Sequence, residues 1–111
     1  MENISLTTKV AQLNDTFRQT FTGGPILLTV GIRALPSGTL KAVLHQVRYY
    51  SDFTPDNDPY QEHDFGSLTI ENHRIFWKID CYDLTLTYGS EHPEDPTQTT
   101  RVLTIMLAEE Y

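Results

Sequence analysis

Cysteine is nearly absent: Cys81 is the single one among 111 residues. No internal disulfide is available, and a reducing compartment is the expected setting. Positive charge is also scarce. The eight Lys and Arg residues (Lys9, Arg18, Arg33, Lys41, Arg48, Arg74, Lys78 and Arg101) are scattered, with no two adjacent, against fifteen Asp and Glu. The formal net charge of -7 and a pI of about 4.8 argue against direct nucleic-acid binding, whose footprint is a basic patch, and against anionic membrane surfaces. No apolar run approaches the roughly 18 residues that suggest a membrane-spanning helix. Met1-Glu2-Asn3-Ile4 lacks the basic segment and apolar run of a signal peptide. Glycine-rich phosphate loops, repeats and low-complexity tracts are missing as well. A cytoplasmic protein is expected, with no nucleic-acid or membrane partner.

What is present suffices for one domain spanning residues 1–111. A chain of this length buries roughly 65% of its unfolded surface. Its hydrophobic fraction of 39% is spread along the whole length, which argues against disorder. Leu6, Val10, Leu13, Phe17 and Phe21 recur at helical spacing and predict a helix over 5–21, with Asn14, Asp15 and Arg18 off the apolar stripe. Thr22-Gly23-Gly24-Pro25 stops it. Residues 26–32 read as a buried strand. A second helix, capped by Ser37 or Thr39, runs to about Tyr50 with Leu40, Val43, Leu44 and Val47 inward. Residues 65–71 and 74–82 form a hairpin around an Asn72-His73 turn. Ile75, Trp77, Ile79 and Cys81 then share the apolar face, opposite Phe76, Lys78, Asp80 and Tyr82. Residues 84–88 alternate as a further strand. Asp95 with Pro96 and Gln98 resembles a helix start, so 100–107 is read as a C-terminal helix although its β-branched content suits a strand. The expected fold is α+β: a small antiparallel sheet of about four strands with N-terminal, central and C-terminal helices packed on it.

The densest chemistry lies in residues 53–66, which hold Asp56, Asp58, Glu62, His63 and Asp64 and no Lys or Arg. Asp56, Asp58, Glu62 and His63 are candidate ligands for a divalent metal such as Mg2+, Mn2+ or Ca2+. The spacing fails an EF-hand, because Gln61 stands where the turn glycine belongs, and a zinc site lacks thiolates or a second nearby His. The plainer alternative is a turn in which Asp56, Asn57 and Asp58 bond their own backbone beside Pro55 and Pro59. For acid–base chemistry the candidates are His63, Asp64 and Arg18, with Asp80 or Asp83 orienting the imidazole and Arg18 holding an anion. No nucleophile or oxyanion motif accompanies them. Asp64-Phe65-Gly66 matches a kinase tripeptide by coincidence, since the phosphate loop is missing. Cys81 and Trp77 are assigned to the core.

Several strings occur together in order: Leu13-Asn14-Asp15-x-Phe17-Arg18, Thr22-Gly23-Gly24, Phe53-Thr54-Pro55-Asp56-Asn57-Asp58-Pro59, Glu62-His63-Asp64-Phe65-Gly66 and Phe76-Trp77-Lys78-Ile79-Asp80-x-Tyr82-Asp83. The run from Thr100 to Tyr111 completes the set. On these the chain resembles the bacterial family known as domain of unknown function 3768. Cys81 stands where that family often has Tyr, and Asn72-His73 replaces an Asp-Gly type of turn. The resemblance implies a bacterial, plasmid-related origin and supplies no activity.

Two functional expectations follow. In the first, a mobile-element protein acts by binding a protein with a basic surface, such as a CRISPR or restriction complex that it inhibits; a homodimer is compatible with this. Its binding surface comprises Asp56, Asn57, Asp58, Tyr60, Glu62, Asp80 and Asp83, joined by a second acidic segment with Glu91, Glu94 and Asp95. In the second, loop 56–64 is the centre of a metal-assisted hydrolase.

Overall fold

The computed structural model describes residues 5–111; the stretch read above for a signal peptide lies outside them. Helix α1 (Leu6–Thr20) begins at Ser5, whose hydroxyl accepts a hydrogen bond from the Thr8 amide at 3.1 Å and satisfies one of the free N–H groups of the first turn. It ends at Phe21, which takes a left-handed φ of 53° and returns its amide to the Phe17 carbonyl. The buried face shares Val10 and Phe17 with the predicted apolar stripe but is rotated from it. Val10, Ala11, Asn14, Phe17 and Arg18 are buried, whereas Leu6 is 62% exposed. The helix is turned so that two polar side chains enter the interior, where each finds partners.

Strand β1 (Ile26–Leu28) is shorter than expected, because the chain then turns into the short helix α2 (Val30–Arg33). The Thr29 hydroxyl and the Gly31 amide donate to the Glu110 carboxylate at 2.6 and 2.9 Å. A remote anion thus caps the first turn of α2, which its own sequence leaves uncapped. Helix α3 (Ser37–Arg48) buries Val43 and Val47 with Leu40 and Leu44 packed beside them, as its spacing predicts. Neither Ser37 nor Thr39 caps it; Pro36 occupies the cap position and Thr39 lies inside the helix.

Strands β2 (Phe65–Ile70) and β3 (His73–Tyr82) make the hairpin one residue earlier than predicted. Ile70 opposes His73, so Glu71 and Asn72 form the turn. Their φ values of 50° and 68° are those a two-residue primed turn needs. The Thr39 hydroxyl donates to the Glu71 carboxylate and ties the turn to α3. Alternation along β3 holds: Ile75, Trp77 and Ile79 are buried, and Cys81 packs against the same core.

Two predicted elements are corrected. Residues 84–88 are not a strand. The Asp83 carboxylate accepts from the Thr87 amide and the Thr85 hydroxyl, closing a loop on which Leu84, Leu86 and Tyr88 are exposed. Residues 100–107 are not a helix but strand β4 (Thr100–Leu107), followed by a single 3-10 turn, Ala108–Glu110. Asp95 spends its capping capacity on Thr97 and Gln98 in a turn. The β-branched run beyond it pairs on both sides. The sheet order is β1-β4-β3-β2, and it is mixed rather than purely antiparallel, because β1 runs parallel to β4. One face carries Leu103, Ile105, Ile75, Trp77 and Ile79 against Phe17 of α1, Ile32 of α2 and Val43 and Val47 of α3. The other carries Phe65, Phe76 and Tyr111 in edge-on and tilted contacts. No helix among the described residues is long and apolar enough to cross a membrane.

The register leaves no room for a side chain at Gly66. Gly66 opposes Trp77, and a Cβ at 66 would lie 2.2 Å from the indole nitrogen. Gly66→Ala is therefore expected to cost roughly 2–3 kcal/mol of stability in urea unfolding, within the range of overpacked cores. Gly38→Ala, with nothing within 4 Å of the new methyl, gains up to about 1 kcal/mol from helix propensity. Equal stabilities for the two variants would contradict this packing.

Candidate functional site

The acidic loop comes down on α1 through a chain of polar contacts that starts at the end of α3. The last carbonyls of a helix lack intrahelical donors. Here the buried guanidinium of Arg18 supplies them, with Nε donating to the Val47 carbonyl at 3.0 Å and Nη2 to the Tyr50 carbonyl at 2.9 Å. Its Nη1 pairs with Asp15 Oδ1 at 3.0 Å. The guanidinium carbon sits 4.8 Å from the Trp77 ring centroid and 5.4 Å from that of Phe53, in cation–π range. The same Asp15 carboxylate receives His63 Nδ1 at 2.9 Å. Phe53 stacks on the imidazole with centroids 3.9 Å apart and an interplanar angle of 2°. On the far side, His63 Nε2 lies 3.6 Å from Oδ2 of Asp58. Gln61 and His63 both have left-handed φ values, 56° and 55°, a conformation that costs free energy in residues other than glycine and is held here by these contacts. Phe53, Thr54, Pro55, Asp58, Gln61 and His63, with Thr8 and Ala11 of α1, line a cavity of about 320 Å3.

A second connection crosses α1 from the other side. Asn14 is wholly buried. Its amide nitrogen donates to the Glu62 carbonyl at 2.9 Å, and its oxygen accepts from Arg101 Nε at 2.7 Å. Arg101 also donates to the Pro93 carbonyl. One buried Asn therefore fastens both acidic loops to α1. Their carboxylates then share a groove of about 490 Å3, where Glu62, Glu91 and Glu94 stand around Leu6, Thr7 and Val10. Desolvation, followed by the charges of Asp64 and Asp58, raises the Glu62 carboxyl above its ordinary value. Desolvation likewise raises Asp64, with Asp58 and Asp80 adding to it.

The predicted site residues divide between these places. His63 and Asp58 meet at the cavity and Glu62 belongs to the groove. Asp56 and Tyr60 are exposed. Asn57 does what the turn reading expects: its oxygen accepts from the Thr54 amide at 2.8 Å and its nitrogen donates to the Asp52 carbonyl at 2.7 Å. Asp64 gives its carbonyl to the Ile79 amide at 2.8 Å and extends the edge of the sheet. Asp80 pairs with Lys78 at 2.8 Å, and Asp83 organises its own loop, where the Thr87 and Thr85 donors hold its carboxyl below the usual range. Neither orients His63; that role falls to Asp15. Arg18 holds no external anion, because it is 1% exposed and spends its donors inside the protein. Burial pushes the Cys81 thiol up, which keeps it protonated beside Asn14. Among the described residues, no three His, Cys, Asp or Glu side chains converge to hold a metal ion, so Asp56, Asp58, Glu62 and His63 are not one ligand set. Asn14, Asp15, Phe53 and Arg101 are the contributors that the sequence reading missed. The Asp15 to Arg18 spacing of three on a helix was the available signal.

The fold and site define a small α+β protein with two acidic loops clamped on its first helix. The family profile described as "Protein of unknown function (DUF3768)" matches residues 28–110, and the chain belongs to that family. The matched span contains both loops and strands β2, β3 and β4, while α1 and all of β1 but Leu28 precede it. No curated protein and no solved structure matches the chain.

Two outcomes test this geometry. Arg18→Met removes a donor from the Val47 and Tyr50 carbonyls and the cation that pairs with Asp15, and is expected to cost about 3 kcal/mol or more in chemical denaturation; a loss below ~1 kcal/mol contradicts the clamp. For Glu62, a folded-state value above the unfolded one favours folding while the group is protonated. That contribution is lost as pH rises through the interval from the ordinary carboxylate value to the raised one. Glu62→Gln should therefore raise the melting temperature at pH 7, with the gain vanishing below about pH 4. Calorimetry across pH checks it, and a melting temperature lowered at pH 7 is the contrary result.

Proposed function

We propose that the protein acts by binding the basic surface of a partner protein, with the groove over α1 as the contact. The observation that carries this reading is that Glu62 and the pair Glu91 and Glu94, from loops nearly thirty residues apart in sequence, line one groove over the apolar floor of Leu6 and Val10. An apolar centre with a charged rim is the make-up of a protein interface. Two further facts support it. No Lys or Arg occurs in residues 49–73 or 79–100, and the basic side chain that lines the groove is His92, 3.3 Å from Glu94. Desolvation and the charges of Asp64 and Asp58 also oppose ionisation of Glu62, the pattern of a group retained for function at some cost in stability.

The partner class that suits such a face is a protein whose groove ordinarily holds nucleic-acid phosphates. The particular role we assign is that of a mobile-element protein that blocks a host defence complex, of the CRISPR or restriction type. The test uses a fluorescent oligolysine peptide, followed by anisotropy at rising salt. Binding is expected to weaken with salt, and Glu62→Gln/Glu91→Gln/Glu94→Gln is expected to weaken it about tenfold or more at ~0.05 M salt, where charges act over more than ~10 Å. Undiminished binding by that variant removes the groove reading. A DNA-binding defence nuclease then tests the role: the DNA-free complex should bind and the DNA-filled complex should not.

A further inference from the structure

The cavity beside His63 is lined by Asp58, and the contacts that hold the loop use only one of its carboxylate oxygens in a hydrogen bond. Asp58 is 6% exposed, and a buried carboxylate is stable only when its oxygens are paired. Oδ1 accepts from the His63 amide at 3.3 Å. Oδ2 has no hydrogen-bond donor among the described residues; its nearest polar neighbour is His63 Nε2 at 3.6 Å, too far for a hydrogen bond. The Asp15 carboxylate takes His63 Nδ1 in a contact of 2.9 and 3.1 Å to its two oxygens. This contact places a ring proton on Nδ1, and in the neutral imidazole Nε2 is then an acceptor. In that form Oδ2 and Nε2 are two acceptors 3.6 Å apart, on residues that both line the cavity, with no donor between them. The cavity of about 320 Å3 they line has apolar walls from Ala11, Phe53 and Pro55. That volume is at the small end for ligand pockets, roughly 300–1,000 Å3.

We infer that this cavity is a site for a primary ammonium, specifically the end of a lysine side chain carried by the basic partner. An ammonium donates to Oδ2 and Nε2 together and brings the missing positive charge, while its methylene stem lies along Phe53 and Pro55. A compact three-donor head suits two convergent acceptors better than the planar fork of arginine. The loop pays for this geometry in advance: Gln61 and His63 are already in their left-handed conformations, and Phe53 already fixes the imidazole plane. The identity of the occupant as a partner's lysine rests on the proposed function; the ammonium site itself rests only on the cavity.

The experiment titrates isotope-labelled protein with n-butylammonium chloride, using sodium chloride and n-butanol as controls, and follows amide resonances by NMR. Saturable shifts are expected at Ala11, Phe53, Gln61 and His63 with n-butylammonium and not with either control. Asp58→Asn should weaken them at least about tenfold, the effect of losing a charge-assisted bond, whereas Glu91→Gln/Glu94→Gln should leave them unchanged. Equal shifts with n-butanol, or none with n-butylammonium, overturn the inference, and both readouts use the wild-type protein, so they stand even if Asp58→Asn does not fold. Oligolysine that binds wild type through the groove while n-butylammonium does not bind overturns the pocket and leaves the groove. The converse pattern overturns the groove and supports the pocket.

Discussion

A buried guanidinium needs acceptors for its donors and an answer to its charge, and the Arg18 side chain finds both by joining four parts of the molecule. It closes the carbonyl end of α3 through Val47 and Tyr50. It lies against Trp77 from the sheet and Phe53 from the acidic loop. Asp15 neutralises it and passes the connection on to His63. Arg48 does the reverse near the other helix end, donating to the Gln19 carbonyl at 3.0 Å with Phe21 beneath it. Each of the two long helices thus has carbonyls at its C-terminal end satisfied by an arginine of the other. The position of the acidic loop depends on this exchange, because Asp15 can hold His63 only where Arg18 holds Asp15.

Burying polar side chains also changes what the surface presents. Arg18 and Arg101 are two of the eight cationic residues, and both lie inside. The exterior is therefore more acidic than the composition indicates, and the excess is local, since both loops without Lys or Arg are fastened to the same helix by Asn14. Interior cations that organise loops leave the outside negative and give it a long-range field. Elsewhere the same economy appears in Glu110, which caps α2 and also accepts from the Leu107 amide at 2.8 Å, so the chain end fixes the edge strand.

Elements with one dominant local signal were readable in advance. The spacing of Val43 and Val47, the alternation of Ile75, Trp77 and Ile79, and the break at Gly23-Gly24 each correspond to an observed feature. Where two local signals competed, the nonlocal partner decided. Asp95-Pro96 reads as a helix start, yet residues 100–107 are the strand that β1 and β3 both require. Residues 84–88 alternate properly but have no neighbouring strand, and they close into a loop around Asp83.

By itself the sequence determined the α+β class, the apolar faces of α3 and β3, and the concentration of acids in two segments, because these depend on composition and on periods of two and 3.6 residues. Tertiary structure alone decided that Asn14 and Arg18 turn inward, that Asp15 rather than Asp80 or Asp83 meets His63, and that Glu62 stands beside Glu91. Those outcomes depend on hydrogen bonds across 48 and 87 residues of chain. A polar side chain shows no period that marks it as buried; it becomes an interior residue only when remote groups arrive to satisfy it.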